Sequence, residues 1–515
     1  MNQSPSAILS WPELVTTALL GTDRRPLPGP DAAATLLAQA ALRAVERRAG
    51  LCPGPAAPRP PLAPEDHREP LPDGARRRLA MLLPDRGSAA SGGVASGGAV
   101  GGAGNLANIN ELLPQWLAAA HRQGYRVPAD LVPPLLDAAR ARSELRADAV
   151  ALAGPLGHWL AERNPDWRYA LRTPLDSDSA EADPVLWAEG LFAERVTQLT
   201  RLRRQDPDAA RELLRATWSA ERAEDRLLFL DALQERLSLA DEPFLESALN
   251  DRSKNVRLTA AELLSTLPGS ALAQRMAQRA RAAVRLVGTA DGPRLSVHPP
   301  TGCDAAAQRD GIAATSPTGR AERAFWLGEI IAATPLELWA TDFGPPDAVL
   351  ALPVSDNWRS ELREGWTRAA TRQNDAGWAR ALLGAPDAAA ETPGAGAAKL
   401  LTVLPPDERA EWTAGFVDTH GLVWAFQLLV ACPAPWTAPL GDAVLRALAG
   451  AARSGGSYPW NYNGVLGVAE RALAPHAAPE LDRLAADADS AWAEMFTRLA
   501  ATLRLRATMF EELGR

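Results

Sequence analysis

Residues 241 to 267, DEPFLESALNDRSKNVRLTAAELLSTL, describe two amphipathic helices joined by a short break. The first opens at Asp241 with Pro243 in its first turn, and its apolar residues are Phe244, Leu245, Ala248 and Leu249. Asn250 and Asp251 end it. The second carries Val256, Ala260, Leu263, Leu264 and Leu267, which is helical spacing rather than strand alternation. Neither helix can hide its apolar face alone, so the unit requires a neighbour stacked on each side. A chain made of such units is expected to fold all-α, as an α-solenoid that presents an extended surface to a partner.

The pattern recurs upstream. Asp206-Pro207 opens a helix bearing Ala210, Leu213, Leu214 and Trp218, and Asp241 follows Asp206 by 35 residues. Between them lies a helix with Leu227, Leu230, Leu233 and Leu237. This period suits tetratricopeptide repeats, but their Trp, Gly, Tyr and Pro pattern is missing.

At the N-terminus, Ser10 and Glu13 form a capping box for a helix with Trp11, Leu14, Val15, Ala18 and Leu19 on one face and Gly21 as its stop. A second helix is expected from about Asp31 to Arg48. The stretch 53–73 is proline-rich and 87–104 is a Gly/Ala/Ser tract, compositions that bury little apolar surface. The chain therefore divides into N-terminal helices (1–50), a linker or insertion (51–104), a first helical-repeat lobe (105–287), a polar loop (288–320) and a second helical-repeat lobe (321–515). Within the loop, Leu295-Ser296-Val297 reads as one short strand or half of a hairpin.

Composition excludes several classes. With 47% hydrophobic and 23% charged residues the chain is globular, and a net charge of −8 opposes a dedicated nucleic-acid binder. Nearly every basic residue is arginine, the two lysines being Lys254 and Lys399; this bias is read as base composition of the coding DNA. Three dispersed cysteines (Cys52, Cys303, Cys432) make no disulfide framework and suit a reducing compartment. The start MNQSPSAILSWPEL lacks a basic segment followed by an apolar core, and the longest uncharged apolar run, Leu422 to Cys432, is about half a bilayer span. That run is read as a buried helix, and the location expected is cytoplasmic.

Catalytic sets are missing from the sequence. Neither lysine follows a glycine run as a phosphate-binding loop requires, the glycine tract has no preceding strand, and there is no GxSxG elbow. The six histidines include no HExxH and no pair at helical spacing. His298, Cys303 and Asp304 are close in sequence, which leaves a metal-handling role as a third-ranked reading. No catalytic residue, metal ligand or cofactor is assigned.

Four segments carry candidate binding residues. LLGTDRRP (19–26) places Asp23, Arg24 and Arg25 directly after a helix stop. GHWLAERNPDWRYAL (157–171) sets Arg163, Asn164 and Trp167 among aromatics, a mixture used by protein hot spots and by base-stacking surfaces. Residues 252–285 hold seven basic side chains, Arg275 and Arg279 among them, against Glu262 alone, which reads either as an anion-binding stripe or as a solvated face. In the polar loop, Arg309 and Asp310 of AAQRDGI read either as binding residues or as a pair satisfied only by each other, a surface interaction worth little.

Together ALLGTDRRP, GHWLAERNPDW, ALNDRSKNVRLTAAELL with its following RM, and QRDGI resemble an uncharacterised bacterial family with HEAT-like helical repeats. Members are typically encoded beside a MoxR-type AAA ATPase, a von Willebrand A-domain protein and a SWIM zinc-finger protein. The resemblance implies those three as protein partners and supplies no catalytic residues. It also implies that Asp251 and Arg257 act as a structural ladder between repeats. The expectation is a non-enzymatic scaffold or adaptor. The alternative is a HEAT-like nucleic-acid-binding protein, with base-excision chemistry as its extreme form, built on the basic run and Trp167.

Overall fold

The computed structural model describes residues 9–27, 31–49, 60–83, 112–172, 184–317, 319–355, 357–388, 395–454 and 457–514. The Gly/Ala/Ser tract and residues 53–59 of the proline-rich stretch lie outside them. Apart from one two-stranded sheet the described elements are helical. No described helix is long and apolar enough to cross a membrane.

The chain divides into two compact units, 1–63 and 64–515. In the first, the helix Trp11–Leu20 begins with the expected capping box: Ser10 N–H and Oγ both donate to Glu13 Oε2, at 2.8 and 2.7 Å. Gly21 ends it with φ +85°. Of the expected apolar face, Leu14 is the buried member, and Thr17 joins it. The second helix, Ala32–Ala49, is capped by Asp31, whose Oδ1 accepts from Ala33 and Ala34 N–H. Arg43 Nε donates to Leu9 O and ties the two helices together.

The second unit holds two apolar cores. One is formed by the helices Asp73–Leu82, Leu113–Arg122, Val132–Ala141 and Arg146–Ala161, packed around Trp116, Leu117, Leu135, Leu136 and Leu152. Gly154 kinks the last of these at φ +57°, where a Cβ would fall on the Arg68 guanidinium. The other core runs without interruption from Trp187 to Leu503. Along it, each helix packs on elements near it in sequence: 254–265 on 223–232 and 242–248, 322–333 on 271–283 and 359–373, 359–373 on 395–403, and 406–420 on 438–453. The closing helix, Ser490–Leu513, returns to the first core. Met509 and Leu513 enter it, Arg78 binds Glu512 at 2.9 Å, and Tyr125 OH donates to Leu513 O at 2.9 Å.

Arginines join successive units. Arg203, fully buried, donates to Leu233, Glu235 and Arg236 carbonyls where the helix Ala223–Ala232 ends. Arg363 reaches Leu382 O, Arg409 reaches Ala431 O and Arg506 reaches Leu473 O, each at or just past the end of a helix. A cation at a helix C-terminus satisfies orphan carbonyls and the negative end of the dipole. Of the ladder expected between repeats, Asp251 makes the bond to a neighbouring unit and Arg257 stays within its own. Asp251 Oδ2 pairs with Arg226 at 2.9 Å, on the preceding unit, whereas Arg257 donates to the Asp251 and Arg252 carbonyls.

The sequence-based boundary at Val287 moves to Ala283. Strand β1 (Val284–Thr289) pairs antiparallel with β2 (Gly292–Val297) in the register Val284↔Val297. Asp291-Gly292 is a strong hairpin signal, and Val284 and Val287 favour extended backbone. Leu295 N–H and C=O bond to Pro353 O and Ser355 N–H, which anchors the hairpin to the helical body. The polar loop that follows contains the short helix Ala305–Arg309, capped by Asp304, whose Oδ1 accepts from Ala307 N–H at 2.7 Å.

Candidate functional site

The loop is held against the stack by one carboxylate. Arg275 and Arg279 lie one turn apart on the helix Ala271–Ala283, so both side chains leave the same face. Asp310, 3% exposed, receives Arg275 Nε at 3.0 Å and Nη2 at 2.7 Å, Arg279 Nη1 at 2.7 Å and Arg309 Nη1 at 3.3 Å. Glu246 completes the network, bonding Arg275 at 2.9 Å and Arg309 at 3.1 Å, and Arg309 Nε donates to Asn250. Burial pushes the Asp310 carboxyl upward, but its bonds to Arg275 and Arg279 outweigh this and hold it below the ordinary carboxylate value. The pair Arg309 and Asp310 is therefore part of a five-residue network rather than an isolated surface contact.

This changes the basic run from 252 to 285. Arg275 and Arg279 are bound by Asp310, and Arg281 by Asp342 at 2.8 Å, so these arginines do not form a free positive stripe.

Beside the network lies a cavity of about 220 Å³ with Trp326, Ile330 and Ile312 on its wall and His298, Cys303 and Asp304 at its margin. The three do not converge. His298 Nε2 contacts Ser296 Oγ at 3.0 Å, Cys303 Sγ faces Ile312 O at 3.5 Å, and Asp304 is occupied as a helix cap. Burial, and then the Asp304 charge, push the Cys303 thiol up, away from the thiolate that metal ligation needs. Among the described residues no group of three His, Cys, Asp or Glu side chains is placed to hold a metal ion.

The other sequence candidates lie elsewhere. Trp167 is 7% exposed and packs in the first core, with Nε1 donating to Asp137 Oδ1 at 2.8 Å, so its ring is not available for base stacking. Arg163 is exposed and lies 4.0 Å over the Trp159 ring, while Asn164 Oδ1 accepts from Asp166 N–H in a local turn. Asp23 and Arg24 are exposed in the first unit, where Arg24 and Arg25 N–H groups bond Gly21 O.

Sequence reasoning missed two groups of exposed aromatics on neighbouring elements. The run Leu422–Cys432, expected to be a buried helix, is helical only over Phe426–Ala431. Leu422, Ala425, Leu428, Leu429 and Cys432 point inward, whereas Val423, Trp424, Phe426 and Val430 are exposed. Phe426 lies against Gly464, where a Cβ would come within 3.0 Å of its ring. Just before that glycine, Tyr458 and Trp460 stack with centroids 4.3 Å apart and planes 7° from parallel, 47% and 58% exposed. A signal was available: the run carries no charge and one polar residue, Gln427, so whichever side turned outward had to be largely apolar.

No curated protein and no solved structure matches the chain. A family of unknown function, DUF5691, matches residues 13–513, nearly the whole length. The chain is a member of that family.

Proposed function

We propose that this chain is a non-enzymatic scaffold or adaptor: an α-solenoid of HEAT-like helical units that binds protein through the aromatic surface of its C-terminal half. The observation that carries the reading is the exposure of Trp424, Phe426, Tyr458 and Trp460 on adjoining units. Tryptophan and tyrosine dominate binding hot spots because they bury much area at little entropic cost, and clustered exposed aromatics are uncommon on a monomer's surface. The near-neighbour packing of helices from 184 to 513 supports the solenoid form. The sequence resemblance nominates a MoxR-type AAA ATPase, a von Willebrand A-domain protein or a SWIM zinc-finger protein as the partner.

The test compares native, nuclease-treated affinity captures with the wild type and with Trp424→Ser/Trp460→Ser. The reading expects a protein recovered by the wild type to be lost from the variant while folding is unchanged. Equal recovery by both would remove the aromatic surface from the function. Recovery dominated by nuclease-sensitive material would transfer the argument to nucleic acid.

A further inference from the structure

Base composition accounts for arginine's excess but not for where the two lysines sit. Lys254 and Lys399, 145 positions apart in sequence, line the two ends of a row of three hollows, each sharing lining residues with the next. Its first hollow, about 220 Å³, lies between Lys254, Arg257 and the loop ending at Thr315. The second, about 140 Å³, shares Leu258 and Ile312 with the first. The third, about 610 Å³, shares Glu262 and Arg372 with the second and ends at Lys399. The helix Lys254–Ser265 forms one wall, and Lys254 to Glu262 alone covers about 12 Å at 1.5 Å per residue.

Charge along this groove is uneven. Every carboxylate on its lining is answered: Glu262 by Arg372, Asp310 by Arg275 and Arg279, Glu329 by Arg368 and Glu364 by Arg320. At its ends the cations are not. Among the described residues neither lysine has a carboxylate partner, and Arg257 donates to backbone carbonyls alone. Three uncompensated cations thus flank a centre with an apolar floor at Leu258, Met276 and Ile312, in a chain whose net charge is −8.

We infer that this groove binds an extended acidic polypeptide segment, with carboxylates at Lys254 and Arg257 at one end and at Lys399 at the other. A peptide can place charge intermittently and lay apolar side chains on the floor between. A phosphodiester chain carries charge at every step and would run over Glu262, Glu329 and Glu364. The groove shares no lining residue with the aromatic surface, so its test stands or falls separately from the proposed function.

Because the chain has two lysines, amine chemistry reads the two ends directly. The full-length protein is acetylated with an amine-reactive reagent, and modification of Lys254 and Lys399 is followed by mass spectrometry. The probe is a fluorescein-labelled peptide of about twelve residues with glutamates at both ends and leucine and serine between, about 40 Å when extended; the same peptide with glutamine in place of glutamate is the control. The acidic peptide is expected to slow acetylation at both lysines, and the control is not. Lys254→Glu/Lys399→Glu is expected to weaken peptide binding about tenfold, more at low salt. Lys254→Glu places an acid in the first turn of its helix, which the dipole favours, so loss of binding would not reflect unfolding. Unchanged acetylation, equal protection by the control peptide, or stronger protection by a single-stranded oligonucleotide would each overturn the inference.

Discussion

Asp241 and Asp310 carry more of the structure than their sequence neighbours suggest. Asp241 reads as the start of a helix, yet its carboxylate is fully buried and binds Arg203 at 2.8 and 2.9 Å and Arg211 at 3.1 Å. The sequence shows a helix-start residue; it does not show an arginine 38 positions earlier arriving at the same point. Asp251 likewise meets Arg226, 25 positions earlier, and nothing local in the sequence shows that pairing. Removing one member of a buried pair strands the other, at about 3–5 kcal/mol. Arg203→Met is expected to lose that much in denaturant unfolding, with a smaller loss where Arg226→Met is made at the Asp251 pair, whose arginine is partly exposed. Asp310→Asn is expected to cost about 3 kcal/mol at neutral pH, since Arg279 loses its counter-charge and Arg275 and Arg309 keep Glu246 alone. Its pH dependence has a definite sign. The folded carboxyl titrates below its unfolded value of 3.8, so its contribution is complete above that value and is lost as pH falls through the lower folded one. Thermal melts of wild type and variant should therefore differ at pH 6 and converge under strong acid.

Helices were legible where one face is apolar and the other charged, as in Lys254–Ser265, because periodicity alone decides such cases. It fails where both faces are apolar. In Phe426–Ala431 the pattern cannot say which side meets solvent, and burial was assumed for the whole run. It also fails for the loop, whose order comes from contacts distant in sequence. Gly311 follows Asp310 with φ +94°, and a Cβ there would stand 2.5 Å from the Ala261 Cβ. Both the backbone and the space exclude a side chain. Gly311→Ala is expected to lift the loop from the helix Lys254–Ser265, raising hydrogen exchange and protease cleavage between 299 and 317 while the helices keep their protection. Unchanged exchange in that segment would mean that the close approach does not hold the loop.

Across the second unit, local stacking is interrupted by one long-range closure. Met509 and Leu513 are buried among helices from 73 to 161, each worth about 1.5–3 kcal/mol of apolar burial. Truncation after Arg504 is expected to expose the first core, seen as new cleavage between 112 and 172 and a lower midpoint of unfolding. No local pattern announces this contact, because the helix Ser490–Leu513 looks in sequence like any other end of a repeat array. The central claim, that the array works as a protein-binding platform, is tested most directly by placing a photo-crosslinking amino acid at Trp460, with a control at exposed Arg285 on the hairpin. After irradiation in native lysate, the account predicts a discrete protein adduct from position 460 and none from position 285. Adducts to nucleic acid, or equal labelling from both positions, would contradict it.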